Sequence, residues 1–141
     1  MIDGMMKIQG ISHITFIVRD LERSAHLFTY LFGAREVYSS GDRYHSLTRE
    51  KFLMIGELWI ALMEGDPVAE KTYNHIAFRV SSDDLPRYHD MVEELKLEIM
   101  QSRPRVPGEG ESLYFYDYDN HLFELHAGDC NERVEAYVQP G

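Results

Sequence analysis

Two short runs dominated by apolar residues, Ser12-His13-Ile14-Thr15-Phe16-Ile17-Val18 and Asn74-His75-Ile76-Ala77-Phe78-Arg79-Val80, stand about sixty residues apart, and each reads as a strand. The segment after each run repeats too. After the first, Asp20 is placed to cap a helix whose apolar positions Leu21, Ala25, Phe28 and Phe32 fall at helical spacing. After the second, Leu85, Tyr88, Val92 and Leu95 keep the same rhythm, with Pro86 in the first turn and Ser82, Asp83 or Asp84 as the cap.

Segments rich in Val, Ile, Tyr and Phe then predict three strands per half. They are Arg35 to Ser39, His45 to Arg49 and Leu58 to Met63 in the first, and Leu97 to Met100, Leu113 to Tyr116 and Leu122 to Ala127 in the second. The pattern is an α+β fold of paired βαβββ modules. Gly41-Asp42 and Tyr118-Asp119-Asn120 supply turns. A single domain over residues 1–141 is expected, with modules at about 11–66 and 73–128, a short N-terminal extension over the first ten residues and a short C-terminal tail. Two connections exceed what a hairpin needs, Glu64 to Tyr73 and Gln101 to Glu111, and long loops in a compact domain are often functional.

Composition narrows the function. The apolar runs are too short for a membrane span, and the N-terminus lacks a charged-then-apolar signal pattern, so a soluble, cytoplasmic protein is expected. A net charge of −10 opposes nucleic-acid binding, although a small anion could bind where basic residues converge. The single cysteine, Cys130, rules out an internal disulfide framework and is expected to be a buried or half-buried small residue.

Histidines at the same position of each first strand, His13 and His75, would bring two imidazoles toward one cleft. Glu124, between Phe123 and Leu125 on a predicted strand, points away from those apolar neighbours and is the natural third ligand, unless it simply faces water. Two imidazoles and a carboxylate suit Mn²⁺, Fe²⁺, Ni²⁺ or Zn²⁺ and leave positions for substrate or water. The echo of Glu124 in the first half falls near Ala61 or Leu62, which cannot ligate. His126, on the same strand face as Glu124, is expected to support it rather than bind metal. His26, His45, His89 and His121 read as surface or packing residues. The Arg103-Pro104-Arg105-Val106-Pro107-Gly108-Glu109-Gly110 segment is either a phosphonate or phosphate site, its glycines admitting a ligand close to the backbone, or a solvated loop stiffened by proline. Glu50, between Arg49 and Lys51, reads by itself as a surface ion-pair residue.

Taken together, Ser12-His13-Ile14-Thr15, Tyr73-Asn74-His75-Ile76-Ala77-Phe78, and Tyr114-Phe115-Tyr116-Asp117 through Asn120-His121-Leu122-Phe123-Glu124-Leu125-His126 resemble the fosfomycin-resistance proteins of the vicinal-oxygen-chelate (glyoxalase, bleomycin-resistance and dioxygenase) superfamily. The similarity runs from about Ile11 to Arg133. It implies a domain-swapped homodimer in which His13 of one subunit joins His75 and Glu124 of the other around Mn²⁺. It implies phosphonate contacts from Thr15, Tyr73, Ser112, Tyr114 and Arg133. Where glutathione-using members carry a lysine this chain has Pro104, and Arg103 and Arg105 flank it to take over the charge.

The segment Leu47-Thr48-Arg49-Glu50-Lys51-Phe52 and the arginine loop look like the hydrolase branch, whose catalytic carboxylate maps onto Glu50. Water is a poor nucleophile at neutral pH and needs a positioned base, whereas a thiolate would be repelled by a carboxylate at the point of attack. The activity implied is Mn-dependent hydrolysis of the fosfomycin oxirane at the carbon bearing phosphorus. The rivals are a glutathione or bacillithiol transferase on fosfomycin, another superfamily enzyme such as a glyoxalase, epimerase or ring-cleaving dioxygenase, and a metal-free drug-binding resistance protein.

Overall fold

The computed structural model describes Gly4 and residues 6–138; the rest of the expected N-terminal extension and of the C-terminal tail lies outside the described residues. The chain divides into two compact units, Met1–Phe16 with Leu21–Glu64 and Ile17–Asp20 with Gly65–Gly141. The α+β class and the repeated βαβββ order are both realised.

In the first half, β1 (His13–Val18), α1 (Leu21–Phe32), β2 (Arg35–Ser39), β3 (Glu50–Ile55) and β4 (Leu58–Glu64) build a four-stranded sheet in the order β1-β4-β3-β2. The helix forms where its spacing predicts: Leu21, Ala25, Leu27, Phe28 and Leu31 are buried, and Phe32 sets its edge against Phe28. Alternation along β3 and β4 sends Leu53, Ile60 and Leu62, all fully buried, into the core.

One predicted strand is corrected. His45 to Arg49 is not a strand; residues 40–49 form a loop in which Tyr44 and Leu47 are exposed, and β3 begins at Glu50. The reason is the apolar run Phe52-Leu53-Met54-Ile55, which closes a hairpin on β4 from Glu50↔Met63 to Ile55↔Leu58 around Gly56-Glu57. Pairing His45–Arg49 instead would leave that run without a ladder. Ser40 fixes the junction, because its hydroxyl accepts from Glu50 N at 2.9 Å and its amide donates to Glu50 O at 3.0 Å.

In the second half, β5 (His75–Arg79), α2 (Leu85–Glu94), β6 (Ile99–Met100), β7 (Ser112–Tyr116) and β8 (Leu122–His126) build a sheet in the order β5-β8-β7-β6. Ahead of α2 a short 3-10 turn, Ser82–Asp84, is capped by Ser81, whose hydroxyl accepts from Asp83 N; of the expected caps, Asp84 holds the N-cap position of α2 without a side-chain bond. Leu85 and Val92 are buried beneath α2. Phe123 is fully buried and stacks on Phe78 and Phe115. The Tyr118-Asp119 turn is set by Asp117, whose Oδ1 accepts from Asp119 N and His121 N, while Asn120 takes φ +68°, a conformation asparagine tolerates. His121 bonds Asp117 Oδ2 at 2.7 Å, a packing role.

The tail is more than an extension. Cys130–Val138 forms α3, started by a reciprocal box in which Asp129 Oδ1 accepts from Glu132 N and Glu132 Oε1 accepts from Asp129 N. Cys130 is exposed at its start, contrary to the expected burial, because the first residue of a surface helix need not face a core. Among the described residues no helix is long and apolar enough to cross a membrane.

Candidate active site

The second sheet carries four of the expected site residues, His75, Ser112, Tyr114 and Glu124, and Tyr73 and Arg105 join them from adjoining loops. β8 pairs with β5 on one side and β7 on the other, so Glu124 stands opposite Ala77 and Tyr114, and His126 opposite Ser112. The pleat sends Phe123 and Leu125 to one face and Glu124 and His126 to the other. Glu124 is 3% exposed, which removes the alternative that it faces water.

His75 Nε2 lies 2.9 Å from Glu124 Oε1. Its Nδ1 lies 2.7 Å from the Tyr73 carbonyl, which only accepts, so Nδ1 carries a proton and a neutral ring turns the Nε2 lone pair toward the carboxylate. Two acceptors that close require a cation, either a second proton on His75 or a metal ion. The donor set therefore fits a divalent metal. The other carboxylate oxygen is held from behind. Ser112 Oγ donates to Glu124 Oε2 and lies 2.7 Å from His126 Nδ1, which must then be the donor in that contact. Burial pushes the Glu124 carboxyl up, but the Ser112 hydroxyl, His126 and His75 outweigh it and leave it below the ordinary value. Burial, with Arg133 and Arg105 nearby, pulls His126 down, toward the neutral ring this relay uses. His126 supports Glu124, in line with its expected role.

Around this pair stand hydroxyls and a guanidinium. Tyr73 and Tyr114 share a hydrogen bond of 3.1 Å, and Arg105 Nη2 donates to the Tyr114 hydroxyl at 3.1 Å and lies 3.6 Å from Glu124 Oε2. Burial and the Tyr73 contact push the Tyr114 phenol up to about 12, so it stays protonated. Arg105 Nε and Nη1 are buried without a hydrogen-bond partner.

The arginine loop is exposed at Pro104 and from Val106 to Gly108, but it is tied down from within by Glu109. Glu109 is fully buried, and Arg103 grips it with both terminal nitrogens at 2.9 and 3.1 Å. Arg105 Nη1 and Arg133 Nε each lie 3.8 Å from it. Three guanidinium groups on one carboxylate leave a local excess of positive charge in a chain of net charge −10. The two arginines are thereby told apart: Arg103 is spent on Glu109, and Arg105 reaches the Glu124 cluster. The glycines also differ from expectation. A Cβ on Gly110 would collide with the Ala127 carbonyl oxygen, so Gly110 serves the packing of the loop against its own unit rather than the approach of a ligand. Gly108, at φ +87° and with only an ordinary contact to Ala136 at 3.7 Å, serves the turn of the backbone.

His13, Thr15 and Glu50 belong to the first unit. His13 is exposed, with Nδ1 3.0 Å from Ser12 Oγ and its ring 4.2 Å from that of Trp59. Thr15, two residues on, shares its strand face. Glu50 is not the surface ion-pair residue its neighbours suggest, being 7% exposed. Arg49 pairs with Glu64 and Asp42, Lys51 with Glu36 and Glu22, and among the described residues no ion pair or hydrogen bond engages the Glu50 carboxylate. Sequence reasoning missed the aromatic row on this sheet, Tyr38 on Phe52 and Phe52 on Trp59, each at 5.1 Å. The lone tryptophan beside β3 was the available signal. On α2, ligand atoms of His89, Asp90 and Glu93 lie within 4.8 Å of one another, but all three residues are exposed and His89 pairs with Glu93 one helical turn on, a solvated helix face.

The profile of the Glyoxalase/Bleomycin resistance protein/Dioxygenase superfamily matches residues 10–125. The fosfomycin resistance protein FosX of Listeria monocytogenes is 54% identical over 130 residues, covering 92% of this chain and 98% of that protein. Two crystal structures of FosX from Listeria monocytogenes, each 49% identical and covering 93% of this chain and 99% of that one, are similar in fold. One, of a mutant complexed with Mn(II) and 1S,2S-dihydroxypropylphosphonic acid, has a TM-score of 0.86; the other, with Mn(II) and a sulfate ion, has 0.85. The chain belongs to this superfamily and, within it, to the family of FosX fosfomycin resistance proteins.

Proposed function

We propose that the protein is a metal-dependent fosfomycin resistance enzyme that opens the oxirane with water and releases a vicinal diol phosphonate. The observation that carries this reading is the pair of acceptors His75 Nε2 and Glu124 Oε1, backed by Ser112 and flanked by Arg105 and Tyr114. A cation is required at the pair, and an anion suits the groups beside it. Mn(II) and a diol phosphonate are what the FosX structure from Listeria monocytogenes carries.

His75, Glu124 and His13 are the residues that would hold Mn²⁺. We assign His13 to the partner copy of a domain-swapped homodimer whose sites are shared between chains. Bound there, Mn²⁺ supplies a Lewis acid for the oxirane oxygen. Arg105 and the hydroxyls of Tyr114, Tyr73, Ser112 and Thr15 neutralise and orient the phosphonate, with Arg133 adding charge, so that part of the rate comes from positioning. Arg103 acts at one remove, through Glu109. Glu50, buried and unpaired, takes a proton from water as its oxygen bonds to the carbon bearing phosphorus; the ring C–O bond breaks, and the ring oxygen takes up a proton to become the second hydroxyl. A carboxylate so placed favours water over a thiolate, which supports the hydrolase over the thiol-transferase reading. The buried ligand pair has no use in a metal-free drug-binding protein. A cytoplasmic setting suits the lone exposed thiol of Cys130.

The test is phosphorus NMR of fosfomycin with pure protein and Mn²⁺ in the absence of any thiol. Diol formation is expected. Turnover only on adding a thiol would assign the chain to the transferases instead.

A further inference from the structure

Glu109 takes no part in opening the oxirane, yet it is fully buried beneath the arginine loop. Its carboxylate is held from both sides. Oε1 accepts from Arg103 Nη1 and Val106 N, at 2.9 and 3.2 Å, and Oε2 accepts from Arg103 Nη2 and from the hydroxyl of Tyr137 on α3. Tyr137 also accepts from Arg103 at 3.3 Å. One carboxylate thus ties residues 103–109 into a closed loop and fastens that loop to the C-terminal helix.

Arg105 sits between this anchor and the ligand cluster. Its Nη1 lies 3.8 Å from Glu109, its Nη2 3.1 Å from the Tyr114 hydroxyl, and its guanidinium 5.6 Å from the centre of the Tyr114 ring. Long arginine side chains turn to water unless something holds them, and here Nε and Nη1 are out of water with no hydrogen-bond partner. Such donors are costly to bury unless an acceptor arrives. Charge points the same way. With Glu109 ionised and Glu124 Oε2 3.6 Å from Arg105, the three guanidinium groups still leave a net positive charge, which suits an anionic phosphonate; without Glu109, the like charges of Arg103 and Arg133 would repel Arg105 and drive it outward.

We propose that Glu109, seated by Tyr137 of α3, is a positioning residue that holds Arg105 with its donors presented to a phosphonate, so that the C-terminal helix is part of the anion-binding machinery. The proposal rests on the assignment of Arg105 as a phosphonate contact.

A double-mutant cycle tests it, with methylphosphonate as the probe and calorimetric binding to the Mn(II)-loaded protein as the readout. Glu109→Gln is expected to weaken methylphosphonate by about tenfold or more, the scale of a lost charge-assisted contact, with Mn(II) affinity unchanged. Arg105→Met should weaken it similarly, and the double variant no further than Arg105→Met alone, because Glu109 acts through Arg105. Tyr137→Phe, which keeps every charge and is the milder change should Glu109→Gln fail to fold, should give a smaller loss that also vanishes in the Arg105→Met background. Losses that multiply, or binding by both Glu109→Gln and Tyr137→Phe that equals wild type, would overturn the proposal, and so would wild-type protein that binds no methylphosphonate. If the cycle is non-additive while fosfomycin yields no diol, the positioning role stands and only the hydrolase reading falls.

Discussion

His75 Nε2 and Glu124 Oε1 meet at 2.9 Å, a contact that needs a proton or a metal ion between them, with His75 fixed from behind by the Tyr73 carbonyl and Glu124 by Ser112. An arrangement that asks for a cation should lose it when the charge is removed. Glu124→Gln is expected to abolish Mn(II) binding at concentrations that saturate the wild type, as followed by the electron paramagnetic resonance of free Mn(II). Ser112→Ala leaves both ligands in place and frees Glu124 Oε2, so it should weaken Mn(II) by roughly 10–100-fold, the usual cost of losing a supporting hydrogen bond. Undiminished Mn(II) binding by Glu124→Gln would remove Glu124 from the ligand set.

Glu50 offers a buried carboxylate whose neighbours in sequence, Arg49 and Lys51, are both engaged with other acids. As the base that takes the proton from water, its loss should be felt in turnover alone. Glu50→Gln should keep Mn(II) and fosfomycin affinity and lower the hydration rate by about 10²–10⁴-fold, the range general base catalysis supplies. Hydration at the wild-type rate in the phosphorus NMR assay would place the base elsewhere.

Much of this was legible in the chain, for reasons that differ by residue. The echo of His13 in His75 follows from duplication of a strand, and the spacing of Leu21, Ala25 and Phe28 from the period of a helix; both are local, and the structure realises both elements. The third strand was misplaced because His45 to Arg49 and Glu50 to Ile55 are both plausible locally. Only the partner strand, Leu58–Glu64, decides between them. Helix α3 left a readable mark in Asp129 and Glu132, three residues apart at a helix start. The burial of Glu109 left none. An acid between two glycines looks like a solvated turn until Arg103 and Tyr137, six residues before it and twenty-eight after, are brought to it in space.

The same acid gives the protein a defined sensitivity to low pH. Arg103 chiefly, against the opposing effect of burial and with help from Tyr137, lowers the Glu109 carboxyl from 4.5 to about 2. A carboxyl whose value is depressed by folding contributes stability that is complete above its unfolded value and is lost as pH falls toward its folded one. The contribution of Glu109 should therefore be constant from neutrality down to about pH 5 and disappear between there and about pH 2. Thermal unfolding of wild type and Glu109→Gln across that range should show two melting temperatures far apart at neutral pH and converging in acid. A gap that stays constant with pH would mean that Glu109 is not ionised in the folded protein.

Gly110 shows whether the arginine loop must sit where it does. It adopts φ +96°, and an added Cβ would collide with Ala127 O and fall 3.2 Å from His126 Cε1. The carbonyl cannot easily retreat, because Ala127 is anchored through its own amide to Glu111 O at 2.9 Å. Gly41 also has positive φ, +59°, but a Cβ there meets nothing within 4 Å. Gly41→Ala should therefore cost only the backbone preference, about 1–2 kcal/mol, and leave methylphosphonate binding intact. Gly110→Ala adds a backbone clash to that preference and should cost more than Gly41→Ala, on the order of 3 kcal/mol. Because the strain is relieved by moving the loop that carries Arg105, it should also weaken methylphosphonate. Urea unfolding and calorimetry on the two variants make the comparison directly, and equal stability with equal binding would show that the loop is free to shift without consequence for the site.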